Sequence, residues 1–142
     1  MNAIPDTNVW IRWFRQGRAP FVLQSGERLR FLLSSIALQE LWAGAVSDGV
    51  ARTLVAVTSL AREHGRLVNP PVAAWVVSGQ VIGAIAATRR IGAARLRTLR
   101  NDVLLAATAV TYDATLLTSN VKDFALIAEF LPLRFQSPQD VS

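Results

Sequence analysis

Five polar side chains in four separate segments carry most of the chemistry available to this chain: Asp6 in IPDTN, Glu40 in SSIALQEL, Asp102 in RNDVLLAATA, and Asn120 with Asp123 in LLTSNVKDF. Carboxylates gathered at one edge of a fold repel one another, and a hard divalent cation such as Mg²⁺ or Mn²⁺ resolves that conflict by taking their oxygens as ligands. Singly, each acid also has an ordinary explanation. Asp6 reads as the cap of a first helix, and Asp102 and Asp123 as complements to helix N-terminal dipoles. Glu40, among Leu38, Leu41 and Trp42, reads as a carboxylate on a solvated helix face. Rival chemistries are thin. With no cysteine there is no disulfide scaffold, thiolate zinc site or cysteine nucleophile. The single histidine, His64, is too few for a metal-free acid and base pair and reads as a surface residue near a helix end.

To act together these residues need elements that converge. Asn2 to Pro5 predicts a first strand and Thr7 to Gln16 a helix with Val9, Trp10, Trp13 and Phe14 on one side, stopped by Gly17. Leu29 to Ser34 predicts a second strand and Ile36 to Val46 a helix. Asp48 to Glu63 and Pro71 to Arg90 predict two more helices, with stops at Gly65 and Gly92. Asp102 to Tyr112 reads as an alanine-rich helix, Thr115 to Thr118 as a short buried strand, Val121 to Ala128 as a helix and Leu133 to Phe135 as a last strand. Strands separated by helices imply a parallel sheet covered on both faces. Ligands of such sheets collect beyond the carboxyl ends of the strands, where Asp6 follows the first strand, Asn120 and Asp123 follow the third, and Glu40 lies within the helix after the second.

The 142 residues suffice for one core, with a domain expected over 1–136 and a flexible tail over 137–142. Apolar residues make up 51% and charged residues 18%, which excludes a disordered chain. The net charge is +5, and all but Lys122 of the 15 basic residues are arginine, a side chain whose planar fork suits phosphate. Trp10, Trp13, Trp42 and Trp75 read as core or interface. The N-terminus MNAIPDTNVWIRWF lacks the zones of a signal peptide, so a cytoplasmic protein is expected. Leu67 to Thr88 carries no charge and meets a membrane-span length test. Asn69, Pro70, Pro71, Ser78, Gln80, two glycines and several alanines favour a buried helix instead, so no membrane is expected.

In order along the chain, the apolar strand running into Asp6-Thr7-Asn8, Ser35 leading to Glu40-Leu41, Asp102 with its alanine-rich helix, and Leu117-Thr118-Ser119-Asn120 followed by Asp123-Phe124 resemble the PIN-domain family, specifically the short ribonuclease toxins of the VapC type. The resemblance spans roughly residues 2–135. It implies a three-layer α/β/α fold with a short parallel sheet, and an endoribonuclease dependent on Mg²⁺ or Mn²⁺, with Asp6, Glu40 and Asp102 as the acidic core. Many relatives carry an aspartate where this chain has Asn120, and Asp123, one turn later, is the substitute. One firmly held ion and a second recruited with substrate follow from the missing acid. Hydrolysis of a phosphodiester independently calls for an activated water and relief of transition-state charge, which carboxylate-held metal supplies. Thr7, Asn8, Thr118 and Asn120 are expected to orient carboxylates or waters, although turn and cap hydrogen bonds account for them equally.

Arg89, Arg90, Arg95, Arg97 and Arg100 meet no acid before Asp102, and are read as an RNA-binding run or as a solvated charged turn. The resemblance also implies a cognate antitoxin protein as partner, and the apolar content suits a homodimer. Two other classes stay open: a non-catalytic PIN-like binding module, suggested by the amide at Asn120, and a membrane-associated protein built on Leu67 to Thr88.

Overall fold

A computed structural model describes residues 1–24, 28–45 and 47–138. Strand β1 (Asn2–Pro5) runs into helix α1 (Thr7–Arg15) and the one-turn α2 (Ala19–Val22), followed by β2 (Arg30–Phe31) and β3 (Leu33–Ser34). Helices α3 (Ser35–Ala43) and α4 (Asp48–Glu63), strand β4 (Leu67–Val68), and the long helices α5 (Val72–Thr88) and α6 (Ala93–Thr111) make up the middle. Strand β5 (Thr115–Leu117), helix α7 (Val121–Ile127) and β6 (Phe135–Gln136) complete the chain. The main sheet has the order β2-β1-β5-β6 with every pair parallel, and β3 and β4 form a second parallel pair. Val46, the expected end of the helix from Ile36, and residues 139–142 of the expected tail lie outside the described residues.

The two central strands dictate the layering. β1 and β5 pair with Ala3 opposite Thr115, Ile4 opposite Leu116 and Pro5 opposite Leu117. Side chains alternate across a strand. Ala3 and Leu117 therefore enter one core with Trp10, Trp13, Leu41 and Leu54, while Ile4 and Leu116 enter the other with Leu99, Val103, Leu105 and Ile127. Helices α1 to α4 cover the first face and α5 to α7 the second, the three layers expected from the alternation of strand and helix. Being covered on both sides, the strands carry Ala3-Ile4-Pro5 and Leu116-Leu117 as consecutive apolar residues rather than alternating ones.

Three expectations need correction. The strand over Leu29 to Ser34 is two strands, because the chain changes partners at its centre. The Leu32 amide donates to Ala3 of the main sheet at 2.8 Å, and the Leu33 amide donates to Arg66 of the second at 2.7 Å. β4 and α2 were not anticipated, and neither is long enough to show a period. Helix α6 starts at Ala93, nine residues before Asp102, with Gly92 as its cap. Arginine is a good helix former, and Leu96, Leu99 and Val103 supply a continuous apolar stripe. Asp102 thus sits inside a helix, where dipole capping cannot explain it. The tryptophans divide: Trp10 and Trp13 are buried with rings 5.3 Å apart edge to face, whereas Trp42 and Trp75 are 42% and 60% exposed.

Helix α5 packs Ala74, Ser78, Val81 and Ile85 inward and leaves Val72, Trp75, Val76, Gly79 and Gly83 on its open side. Among the described residues, no helix is long and apolar enough to cross a membrane. A Cβ at Gly79 or Gly83 would meet nothing within 4 Å. Since glycine inside a helix costs about 0.5–1 kcal/mol relative to alanine, Gly79→Ala and Gly83→Ala should each raise the melting temperature by about 2 °C or more. A fall in either thermal melt would mean that these positions are closely covered in solution.

Candidate functional site

Because β1 and β5 are adjacent and parallel, their carboxyl ends coincide, and the order β2-β1-β5 makes this the place where the chain leaves in opposite directions. The Asp6 amide extends the ladder by donating to Leu117 at 2.8 Å. The Asp6 side chain then does two things. Its Oδ1 accepts from the Thr7 amide at 2.7 Å, capping α1, and its Oδ2 accepts from the Thr118 hydroxyl at 3.0 Å. Thr118 in turn accepts from the Asn120 amide at 2.9 Å, which fixes the turn after β5. Capping and site-building are therefore both correct for Asp6, one oxygen to each. Burial raises its pKa, against the Thr118 and Thr7 hydrogen bonds that lower it.

Glu40 arrives from the other sheet. Ser34 ends β3 and caps α3 by accepting from the Ala37 amide at 3.1 Å, and Glu40 projects one turn later. The Thr7 hydroxyl donates to its Oε1 at 3.2 Å, so Thr7 touches two of the expected acids, one through its amide and one through its hydroxyl. Burial raises the Glu40 pKa, the Thr7 bond opposes, and the nearby Asp6 charge raises it further.

Asp102 differs from both. It is half-buried on α6, and no hydrogen bond among the described residues supports its ionised form. Burial first, then the charges of Asp6, Asp123 and Glu40, raise its pKa to about 7, with Arg95 alone pulling it down. All four acids singled out in the sequence thus feel one another at Asp102. Among the described residues no three acidic or imidazole side chains already stand close enough to grip a metal. What they offer is an oxygen-only donor set with unrelieved negative charge, a composition that fits Mg²⁺ or Mn²⁺ and not a thiophilic metal.

Asp123, in the first turn of α7, is already engaged. Arg95 forms an ion pair with it, and the Asn120 side-chain amide donates to its Oδ2 at 2.8 Å. The Arg95 hydrogen bond is the main cause lowering its pKa; burial opposes, and Asn120 adds to the lowering. Asn8 is exposed at the first turn of α1 and bonds none of these carboxylates among the described residues.

The arginine run divides in the same way. Arg89 pairs with Glu129 at 2.9 Å and Arg95 with Asp123, while Arg90, Arg97 and Arg100 are exposed. At about 100° per residue, Asp102 shares a face of α6 with Arg95 but lies roughly 140° from Arg97 and 160° from Arg100. Arg100 borders a cavity with Trp75, Ser78 and Gly79 instead. Sequence reasoning passed over Arg12 and Ser119, whose side chains meet at 3.2 Å beside the Thr118 turn. The two are 107 residues apart and no local pattern announces them. Asp113 lies at the opposite end of β5 with φ 51°, paired with Arg134 at 2.8 Å.

Residues 3–129 match the family model described as PIN domain. Among curated protein sequences none matches this chain. Three solved structures are similar, each with 96% of this chain covering 98% of theirs: VapBC2 from Rickettsia felis bound to a DNA fragment from its promoter (18% identity, TM-score 0.68), VapBC-1 from nontypeable Haemophilus influenzae (23%, 0.67), and VapBC-5 from Mycobacterium tuberculosis, a member of the VapBC family of toxin-antitoxin systems (14%, 0.59). At these identities the likeness is one of fold.

Asp102 generates a prediction about stability. Its folded pKa, about 7, lies above the ordinary 3.8, so the folded chain binds the proton more tightly than the unfolded one. Its contribution is therefore most favourable at low pH and is lost as pH rises from about 4 through 7. Asp102→Asn should flatten this part of the melting profile and raise the melting temperature at pH 8 by several degrees in chelator. A variant profile parallel to wild type would remove Asp102 as the strained carboxylate.

Proposed function

The chain belongs to the PIN-domain family, and on that premise we propose that it is an endoribonuclease dependent on Mg²⁺ or Mn²⁺, the toxin of a toxin–antitoxin pair. One observation carries the reading. Asp6 and Glu40 share Thr7, Asp102 feels the charge of both, and none of the three is consumed by an ion pair among the described residues, whereas Asp113, Asp123 and Glu129 all are. Carboxylates that feel one another's charge and have no cation paired with them suit one that arrives from outside the chain.

Asp6, Glu40 and Asp102 would hold the ion; bound there, it supplies an activated water and relieves charge on the phosphorane-like transition state. The chain's own contribution is orientation. Thr7 and Thr118 fix both oxygens of Asp6, the Thr7 hydroxyl steers Glu40, and the packed α6 holds Asp102 in place. Asp123 is the fourth carboxylate, available to a second ion once Arg95 releases it.

An antitoxin is the proposed protein partner, by analogy with the complexes whose fold this chain shares. The apolar groove between α1, α3 and α4, lined by Ile11, Phe14, Leu41 and Val50 and reaching Glu40, is a surface on which it would both bind and cover the site. The open side of α5 is the surface offered to a second copy, and the cytoplasm is the compartment in which RNA would be met. The amide at Asn120 and the Arg95–Asp123 pair favour one competing reading, a PIN-like module that binds without cutting.

Cleavage of single-stranded RNA by the purified protein separates the two. Products should form with Mg²⁺ or Mn²⁺ and not in EDTA. Asp102→Asn should abolish them, while Asp113→Asn, a strand length of roughly 10–15 Å away, leaves the rate near wild type. Equal losses from the two variants would place the reaction at the other end of the sheet, and no metal-dependent product at all would leave the binding module. In the same assay Asp123→Asn should raise the Mg²⁺ concentration for half-maximal cleavage several-fold, and an unchanged Mg²⁺ titration would leave a three-carboxylate centre.

A further inference from the structure

We propose that Arg12 is a substrate-binding residue of this site, its guanidinium gripping an RNA phosphate next to the scissile one; the inference rests on the nuclease reading above. An edge bearing four acids repels a polyanion. A metal neutralises the charge at the reacting phosphate, but the flanking phosphates need cations of the protein itself. The arginines that the sequence offers for this purpose are poorly placed. Arg95 alone of the run shares the Asp102 face of α6, and Asp123 occupies it. Arg89 is held by Glu129, and Arg134 is held by Asp113 at the far end of the sheet.

Arg12 meets the requirement. It lies on the exposed side of α1, and its Nη2 donates to the Ser119 hydroxyl at 3.2 Å. Ser119 follows Thr118, whose own hydroxyl holds Asp6, so the guanidinium is anchored one residue from the carboxylate edge. The anchor is a neutral hydroxyl, and among the described residues no carboxylate pairs with Arg12. Its charge and its remaining donors therefore stay available for bidentate binding of a phosphate. The placement is also the right one for a strand crossing the edge. α1 covers one face of the sheet and α6 the other, so Arg12 and Arg95 reach this edge from different layers.

The test is binding, read by fluorescence anisotropy of a labelled single-stranded RNA with Ca²⁺ in place of Mg²⁺, from about 50 to 200 mM salt. Arg12→Ala should raise Kd about tenfold and make the log Kd against log salt slope shallower by about one, as expected when the protein neutralises one phosphate fewer. Arg12→Lys should keep the slope with an intermediate Kd, since the charge remains but the fork does not. Ser119→Ala, which removes only the anchor, should weaken binding a few-fold with the slope unchanged, and Arg89→Ala should match wild type. Under Mg²⁺, Arg12→Ala should raise KM far more than it lowers kcat. Thermal melts should be unaltered because Arg12 is exposed, and Arg12→Gln serves as a second neutral variant. If wild type binds and cleaves RNA while Arg12→Ala and Arg12→Gln bind with its affinity and salt slope, Arg12 is excluded and the nuclease reading stands. If wild type neither binds RNA in Ca²⁺ nor cleaves it in Mg²⁺, both fall.

Discussion

Parallel pairing of β1 with β5 brings together residues 112 positions apart, and the Thr118 hydroxyl on the Asp6 carboxylate is where that pairing becomes a site. β1 contributes the apolar run Ala3–Pro5 and then Asp6, the cap of α1, and β5 contributes Leu116–Leu117 and then Thr118, in the turn that leads to α7. Burial on both faces specifies the register, because a one-residue slip would exchange Ala3 with Ile4 and Leu116 with Leu117 between two cores of different shape. The same slip would separate Thr118 from Asp6. Core packing and site assembly are therefore one constraint, and the acid gains its orientation from hydrophobic alternation a few residues upstream.

That constraint has an electrostatic consequence. Asp6 is stabilised by two neutral donors and Glu40 by one, but Asp102 has none among the described residues, and each additional negative charge raises the free energy of ionising it. The folded chain tolerates this because Asp102 rides on α6, whose buried Leu99, Val103, Leu104, Leu105 and Ala106 belong to the core shared with α5 and β5. A large apolar interface offsets one poorly solvated carboxylate, a division of labour common where function asks for charge that stability would avoid.

Ion pairs decide which of the many arginines remain available. Exposed pairs contribute little to stability, yet they determine direction: Arg95 is turned onto Asp123, Arg89 onto Glu129 and Arg134 onto Asp113. Asn120 belongs to the same distribution of charge. With an amide in place of an acid, it donates to Asp123 instead of competing with it for Arg95. The amide, the aspartate and the guanidinium form one neutralised cluster beside an unneutralised one, which separates Asp123 from the other three acids more sharply than its sequence position does.

Much of this was legible in the amino-acid order. The apolar runs ending at Asp6 and Thr118, the helix following Ser34, the glycine stops and the alternation of strand with helix are local patterns, and they determined the parallel sheet covered on both faces and the position of Asp6 and Asn120 beyond strand ends. The start of helix α6 was hidden because its arginines mask the Leu96, Leu99 and Val103 stripe, and the break in the strand at residues 29–34 was hidden because its two halves pair with different sheets. Tertiary structure alone decided that Asp102 is half-buried among other acids, that Arg95 is paired, and that Arg12 meets Ser119. Caps and hydrophobic periods are settled within a few residues of chain. Ion pairs, desolvation and register are settled between residues tens of positions apart, and only the packing of helices on a particular sheet brings those partners together.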